Sequence, residues 1–360
     1  MSAIGPGAAA EPPLSGQPGA AAEPPLSGFT TLRTGGPAER MVVAETEADL
    51  IDSVAAADAA GERLTILGGG SNVVVADDGL PGTVVLARTR GIDVSVDDCA
   101  GAWVTVAAGE PWDDVVARAV AEGWSGIEAL SGIPGLTGAT PIQNVGAYGQ
   151  EVADTIARVT AYDRVAGCTE VIAAGDCGFA YRTSRFKADP RYVILSVTFQ
   201  LPLGALSAPI GYAELATRLG VSVGERAPSR DVREAVLELR RGKGMVLNPA
   251  DHDTWSVGSF FTNPIVEAGR VPVGAPAWSQ PDGSIKTSAA WLVEQAGFPR
   301  GYPDGGAARL STKHTLAITN RGSASTADVL RLAREVRNGV RERFGIVLVP
   351  EPVLLGCILD

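Results

Sequence analysis

Two glycine-rich segments constrain the fold of this chain more than any other feature. They read LGGGSNVVVAD at 67–77 and LSGIPGLTGATPIQNVGAYG at 130–149. Glycine removes the side chains that keep a backbone away from a phosphate, so such loops expose clusters of N–H donors to an anion. Because each segment follows a predicted strand, the pair indicates a long diphosphate ligand lying between two subdomains.

Neither glycine segment has the spacing of a common nucleotide-binding motif. The first lacks the final glycine of GxGxxG, and the second spaces Gly132, Gly135 and Gly138 as GxxGxxG. No GxxxxGK[ST] pattern occurs. A doubly wound nicotinamide-binding domain and a P-loop kinase or ATPase are therefore disfavoured.

The bulk composition disfavours several classes of function. Thirty Lys and Arg residues against 41 Asp and Glu residues give a net charge of -11, which repels nucleic acid and anionic membranes. The 4 cysteines show no CxxC spacing and there are 2 histidines, so we expect no disulfide framework and no metal site. No apolar run approaches a membrane span, and no signal-peptide pattern opens the sequence, so we expect a cytoplasmic protein.

The order of the predicted elements indicates a mixed α and β protein of two or three domains. Residues 1–28 contain the near-tandem repeat GAAAEPPLSG and are predicted to be a disordered Ala/Pro/Gly-rich tail, because they carry little bulky apolar surface. Predicted strands lie at 41–44, 64–67, 102–108, 157–163, 169–173, 192–201 and 346–349. Helices are predicted to begin at the capping pair of Thr46 and Asp49, at Pro111, at the N-cap candidates Ser229 and Ser288, and at about residue 327.

Six motifs occur in the order found in one family of bacterial flavoenzymes. They are LGGGSN (67–72), GIPGLTGATPIQNVGAYG (132–149), YRTSRFK (181–187), GYAEL (211–215), GSFFTNP (258–264) and PEPVLLG (350–356). On these motifs the chain resembles the UDP-N-acetylenolpyruvoylglucosamine reductases, from about residue 29 to residue 356. The resemblance implies an α+β fold in which a vanillyl-alcohol-oxidase/PCMH-type FAD-binding domain of two α/β subdomains precedes an α+β substrate-binding domain.

The resemblance also implies a domain plan. FAD-binding subdomain 1 would comprise 29–85 and 345–360, subdomain 2 would comprise 86–248, and the substrate-binding domain would comprise 249–344. The C-terminal strand would return to subdomain 1, and FAD would lie between the two subdomains.

The implied reaction is a reduction in peptidoglycan precursor synthesis. NADPH would reduce noncovalently bound FAD, and UDP-N-acetylglucosamine enolpyruvate would then accept the hydride on its CH2 carbon to give UDP-N-acetylmuramate. We expect a monomer with no nucleic-acid or membrane partner.

By the same resemblance the catalytic residues are Arg182, Ser259 and Glu351. Arg182 would stabilise the enolate, Ser259 would protonate it, and Glu351 would position or polarise that assembly. The chain departs from the family at Pro352, since the family commonly has Glu-Pro-Glu followed by a β-branched residue and Pro352 removes a backbone donor. Structural alternatives are a surface ion pair for Arg182, a backbone-bonded hydroxyl for Ser259 and a surface carboxylate for Glu351.

The remaining implied site residues bind the cofactor or the substrate. Cofactor contacts are implied for Gly68, Gly69, Gly70, Ser71, Asn72, Gly132, Ile133, Pro134, Gly135, Gly138, Ala139, Thr140, Asn144, Gly146, Ala147 and Tyr148. Substrate contacts are implied for Tyr181, Tyr212, Lys243, Asn263 and Gln295. For His314, a partly buried imidazole bonded to backbone is as consistent with the sequence as a ligand contact.

Two other functions are compatible with parts of the sequence. One is a flavin-dependent oxidase of alcohols or sugars, although the glycine segments contain no His or Cys to tether FAD covalently. The other is a non-catalytic flavin or sugar-nucleotide sensor, which would have no need of a serine proton donor and an arginine together.

Overall fold

The computed structural model describes residues 23–360, and the predicted tail at 1–22 lies outside the described residues. The strands are β1 (Ala38–Ala44), β2 (Leu64–Leu67), β3 (Val73–Val75), β4 (Leu80–Ala87), β5 (Ile92–Asp97), β6 (Gly101–Ala107), β7 (Gly146–Ala147), β8 (Gln150–Glu151), β9 (Ile156–Asp163), β10 (Cys168–Ala173), β11 (Tyr192–Leu201), β12 (Ile265–Val266), β13 (Ala277–Ser279), β14 (Ile285–Thr287), β15 (Ala308–Leu310), β16 (Ile318–Asn320) and β17 (Val353–Leu355). The helices are α1 (Glu47–Ala59), α2 (Trp112–Ala121), α3 (Arg185–Ala188), α4 (Ala213–Leu219), α5 (Ser229–Gly242), α6 (Ala289–Gln295) and α7 (Thr326–Phe344). The mixed α+β class predicted from the sequence is confirmed.

The described chain divides into two compact units. Unit 1 comprises residues 23–39, 70–80 and 247–360, and unit 2 comprises residues 40–69 and 81–246. These borders differ from the three-part plan implied by the resemblance, and the limits of the two FAD-binding subdomains and of the substrate-binding domain stay predictions.

Unit 2 is built around an antiparallel sheet with the strand order β10-β9-β11-β6-β5. Strand β11 is buried on both faces: Val193 and Leu195 pack in one apolar cluster, and Ile194, Val197 and Phe199 pack in another. Helix α2 contributes Trp112, Val115 and Val116 to the same core. A second sheet, β1-β4-β2, lies beside helix α1, whose capping box of Thr46 and Asp49 confirms the predicted helix start.

Unit 1 gathers its core around helix α7. Val329, Val336 and Val340 recur at helical spacing and are almost fully buried among apolar residues of α6 and β15. Strand β17 pairs in parallel with β3, so the C-terminal strand does return to an N-terminal segment as the resemblance implied. The small sheets β12-β14-β13 and β15-β16 complete this unit.

The predicted end of the disordered tail at residue 28 is wrong. Leu26–Phe29 forms a 3-10 helix, and the side chains of Leu26 and Phe29 are buried. The Leu26 N–H donates to the Gly36 carbonyl at 2.9 Å. The repeat has a low average apolar content, and this composition predicted disorder throughout. The leucine of its second copy, Leu26, is nevertheless buried in the core.

Two predicted secondary-structure features are also wrong. Pro228, not Ser229, is the N-cap of α5: Ser229 is the first helical residue, its N–H donates to the Ala205 carbonyl at 2.9 Å, and no side chain caps the helix start. Residues 346–349 form no strand. Pro350 lacks an N–H, and its bridge with Phe261 is isolated, while the Thr262 N–H donates to the Val349 carbonyl at 3.0 Å.

Candidate functional site

The two glycine loops touch each other at Gly69 and Gly135. A Cβ added to Gly69 would lie 2.8 Å from the Gly135 Cα, which leaves room for no side chain at this position. The second loop is anchored where the Gly135 carbonyl accepts from the Trp112 N–H at 3.0 Å and the Gly138 N–H donates to the Ala108 carbonyl at 2.9 Å. The structure thus brings together two segments whose sequence alone suggested a shared anion.

Cations border the second loop at Gly132. The Gly132 N–H donates to Asp113 Oδ1 at 2.6 Å, and Arg233 binds the same carboxylate through both terminal nitrogens, at 2.6 and 2.9 Å. A Cβ at Gly132 would lie 3.5 Å from the Nε of Arg240. That Nε is buried and has no hydrogen-bond partner among residues 23–360, and desolvation lowers the pKa of Arg240.

Arg240 was missed by the sequence analysis. The signal available was a pair of arginines one turn before Lys243 at the end of a predicted amphipathic helix. A buried cation with an unused donor beside a glycine loop fits an anionic diphosphate, which is the part of FAD that such loops bind.

A turn of strained backbone holds Arg182 against the end of the second loop. Asn144 and Arg182 have φ values of 47° and 55°, in the left-handed region that non-glycine residues rarely adopt. Arg182 Nη2 donates to the Gly146 carbonyl at 2.6 Å, and its Nη1 lies 3.4 Å from the Asn144 carbonyl. Arg182 also lies over the Tyr181 ring, 5.4 Å from its centroid.

Three residues predicted to bind cofactor or substrate form an aromatic and cationic group. The rings of Tyr148 and Tyr212 meet edge to face at 5.5 Å, and Lys243 Nζ lies 5.4 Å from the centroid of the Tyr148 ring. Lys243 is paired with Glu214 at 2.5 Å. Burial raises the pKa of Tyr148, while for Lys243 the carboxylate of Glu214 raises the pKa against an opposing desolvation effect.

Ser259 and Glu351 lie on neighbouring segments of unit 1. The Ser259 hydroxyl is 3.2 Å from His314 Nε2, and Ser259 forms a backbone bridge with Ala317. The Glu351 N–H donates to the Phe260 carbonyl at 2.9 Å, so the two predicted catalytic residues are connected through one intervening residue. His314, for which the sequence left two interpretations open, contacts a predicted catalytic hydroxyl.

Several side chains in or beside the predicted site motifs have structural contacts or are exposed. Phe260 and Phe261 are 0% and 2% exposed and pack edge to face in the core of unit 1. The Asn263 Oδ1 accepts from the Ala289 N–H at 2.9 Å at the start of α6, and Gln295 is an exposed residue at the end of that helix. The Thr140 hydroxyl donates to the Thr137 carbonyl at 2.8 Å within its own loop.

The other predicted cofactor residues lie in the two glycine loops and at strand β7. Asn72 joins the first loop to the C-terminal segment, since its carbonyl accepts from the Val353 N–H at 3.0 Å. The remaining ones lie within the two loops and at the strand β7: Gly68, Gly70, Ser71, Ile133, Pro134, Ala139 and Ala147. Their contacts with FAD stay predictions.

Metal and membrane features were searched within residues 23–360. No group of His, Cys, Asp or Glu side chains there is arranged to hold a metal ion. No helix in that part of the chain is long and apolar enough to cross a membrane.

The paired glycine loops with their buried cation fit a diphosphate-containing cofactor, and the family models identify the chain as a flavin-binding oxidoreductase. Residues 38–171 match the profile of an FAD binding domain, and residues 248–355 match that of the UDP-N-acetylenolpyruvoylglucosamine reductase C-terminal domain.

Proteins similar to this chain over most of its length carry one name. The UDP-N-acetylenolpyruvoylglucosamine reductase of Cutibacterium acnes is 57% identical over 334 residues, which cover 92% of this chain and 89% of that protein. The reductase of Salinispora arenicola is 57% identical over 342 residues, covering 92% and 94%. The crystal structure of the reductase (MurB) from Thermus caldophilus aligns with a TM-score of 0.63 at 27% identity, covering 92% of this chain and 97% of that one. This chain belongs to the UDP-N-acetylenolpyruvoylglucosamine reductase family.

Proposed function

We propose that this chain reduces UDP-N-acetylglucosamine enolpyruvate to UDP-N-acetylmuramate with NADPH, using Arg182, Ser259 and Glu351 as catalytic residues. Family membership and the FAD-binding domain support the reaction class. The observation that carries the residue roles is the hydroxyl of Ser259, held 3.2 Å from His314 Nε2 beside the segment of Glu351. A cytoplasmic location and a monomeric state stay predictions.

The glycine loops would hold the diphosphate of FAD. Gly69 and Gly135 permit the two backbones to approach each other, and the unused Nε of Arg240 offers a charged donor beside Gly132. When bound, FAD supplies hydride transfer from NADPH to the enolpyruvyl group.

Arg182 would stabilise the charge that develops during reduction of the substrate. Once the CH2 carbon is reduced, negative charge spreads over the adjacent carbon and its carboxylate. A planar guanidinium can donate two parallel N–H bonds to that carboxylate, and hydrogen bonds to the carbonyls of Asn144 and Gly146 orient it in advance. Glu351 would then position or polarise this charged assembly.

Ser259 would complete the reaction by donating its hydroxyl proton to the carbon next to the carboxylate. A serine hydroxyl is a weak acid in water, but it acts as a general acid if it lies in hydrogen-bonding reach of a forming carbanion. The imidazole of His314 fixes the hydroxyl oxygen in one position.

Lys243 and Tyr212 would bind the diphosphate of the sugar nucleotide. The ammonium group of Lys243 is paired with Glu214, and the Tyr212 ring is 44% exposed at the start of α4. An incoming diphosphate carries more charge than the Glu214 carboxylate, so we expect it to displace Glu214 from Lys243.

Stopped-flow separation of the two half-reactions tests the assignment. Ser259→Ala should leave reduction of bound FAD by NADPH unchanged and slow reoxidation by the enolpyruvyl substrate by about 10²- to 10⁴-fold, the range for loss of a general acid. Thr262→Val is the matched control, because it removes a hydroxyl from the same segment. The hydrogen bond from that hydroxyl to the Val349 carbonyl is long, at 3.4 Å.

The outcomes separate reductase, oxidase and sensor. Equal slowing of both half-reactions by Ser259→Ala would show that the serine is structural. Purified protein that takes up no added FAD would overturn the proposal of a flavoenzyme, FAD uptake without reduction by NADPH would favour a flavin sensor, and turnover with oxygen and a sugar alcohol in place of the enolpyruvyl substrate would favour the oxidase.

A further inference from the structure

Arg182 sits at the tip of a tight turn whose geometry is costly. Ala180 and Thr183 exchange backbone hydrogen bonds of 3.1 Å in both directions, which leaves Tyr181 and Arg182 as the turn residues. Arg182 has a φ of 55° there. A residue with a Cβ is strained in this region, so surrounding contacts must hold the turn in place.

The side chain of Asn144 supplies such contacts. It is 1% exposed, and its Nδ2 donates to the Ala180 carbonyl at 3.2 Å and to Glu151 Oε2 at 2.6 Å. Its Oδ1 accepts from the Ala153 N–H at 3.2 Å. One amide therefore joins the turn that carries Arg182 to the segment at 151–153.

The same asparagine lies in the segment that holds the guanidinium. The carbonyl of Asn144 and that of Gly146 face Arg182 Nη1 and Nη2. A Cβ at Gly146 would lie 3.0 Å from Nη1 and 2.8 Å from Glu151 Cγ, so the glycine leaves the space that the guanidinium occupies. Both ends of Arg182, its backbone turn and its charged group, are thus fixed against Asn144 and its neighbours.

We propose that Asn144 is a positioning residue for Arg182, and that Glu151 fixes the orientation of the Asn144 amide. The sequence assigned Asn144 to the cofactor. In the structure both N–H groups and the oxygen of its amide are engaged with protein atoms, which favours the positioning role. This inference rests on the proposed function, since it requires that Arg182 acts on the substrate.

Asn144→Gly tests the inference in the FAD-loaded enzyme. Glycine adopts the positive φ of 47° without strain, so this variant removes the amide but not the backbone conformation. Reoxidation of the reduced enzyme by the enolpyruvyl substrate should slow by about 10²-fold, the cost of a misplacement near 1 Å, while reduction by NADPH stays within about 2-fold. Asp154→Ala is the control for loosening of the same segment: it removes the Oδ2 that accepts from the Glu151 N–H at 2.9 Å and deletes none of the atoms that bond the Asn144 amide.

Two further measurements distinguish positioning from general loosening. Hydrogen exchange at the amides of 180–183 should be faster in Asn144→Gly than in Asp154→Ala, which is a readout independent of turnover. In an Arg182→Ala background, Asn144→Gly should change the reoxidation rate by less than about 3-fold. A residue that acts through the Arg182 guanidinium has no effect on the rate once that guanidinium is absent.

The possible failures are distinct. If Arg182→Ala reoxidises at the wild-type rate, the catalytic role of Arg182 and this inference both fail. If Arg182→Ala is slow and Asn144→Gly is normal, the proposed function stands and the positioning role is overturned. Full additivity of the two substitutions would likewise overturn it, since it would show that Asn144 acts independently of Arg182.

Discussion

The close packing of the first glycine loop can be measured by comparing alanine at Gly70 with alanine at Gly61. The two glycines have nearly the same φ, 60° and 64°. A Cβ at Gly70 would lie 2.0 Å from the Phe29 carbonyl oxygen and 2.8 Å from the Thr30 Cα, whereas a Cβ at Gly61 meets no atom within 4 Å. Comparing the two alanine variants therefore separates the stability cost of the left-handed backbone from the cost of steric overlap.

The expected magnitudes follow from these two contributions. A left-handed conformation costs a residue with a Cβ about 1 to 2 kcal/mol, and Gly61→Ala should lose only this amount. Gly70→Ala should lose about 1 to 3 kcal/mol more, because the overlapping atoms belong to backbone and cannot rotate away. A combined loss of about 2 to 5 kcal/mol is a large share of an ordinary unfolding free energy of about 5 to 15 kcal/mol.

Urea unfolding followed by tryptophan fluorescence gives the stability of each variant, and absorbance of bound FAD gives the loading per chain. Gly70→Ala should also lose FAD, since the shift needed to relieve the overlap moves a loop that we propose binds the cofactor, while Gly61→Ala should keep full loading. Equal loss of stability in the two variants would refute the close approach of Gly70 to Phe29.

Two more predictions concern titratable groups. Burial raises the pKa of the Cys177 thiol to about 11, so iodoacetamide at pH 8 should label the exposed Cys99 and Cys168 in the native protein and should label Cys177 only after unfolding; equally fast labelling of Cys177 would contradict its burial. Although desolvation opposes them, hydrogen bonds from Arg233 and from the Gly132 N–H hold the pKa of Asp113 below its usual range. A depressed carboxyl pKa stabilises the fold fully above the unfolded value of about 4, and this contribution is lost as pH falls through the folded value. Asp113→Asn should therefore lose stability at neutral pH and show a shallower decline in urea midpoint below about pH 4, and an unchanged acid profile would exclude this ion pair as a contributor.

Local patterns predicted the parts of the fold that depend on neighbouring residues. The reciprocal cap of Thr46 and Asp49 and the Ser288 cap of α6 are confirmed, because each is decided within four residues. The prediction of a strand at 346–349 was wrong, because strand formation depends on pairing with a segment that is distant in sequence. Pro350 has no N–H to donate to such a segment.

Long-range contacts decided which site residues could be assigned from sequence. The sequence predicted that the two glycine loops share one ligand, and the approach of Gly69 to Gly135 is consistent with that prediction without testing it. The partners of the Asn144 amide were not, since Ala180 lies 36 residues away and no periodicity connects them. The contact of Ser259 with His314 spans 55 residues and was equally hidden.

Backbone strain gives an independent indication of where function lies in unit 2. Among residues 23–360, the non-glycine residues with positive φ are Arg33, Asn144, Tyr148 and Arg182, and the last three were assigned to the site from sequence motifs alone. Strained conformations persist only where surrounding contacts over-determine them, and they concentrate at binding and catalytic sites. The contacts here are the Asn144 amide bonds, the ring contact of Tyr148 with Tyr212 and the carbonyls that hold Arg182. If Arg182 stabilises the enolate as proposed, these contacts orient its guanidinium before substrate binds, and the strained backbone at Asn144 and Arg182 serves that orientation.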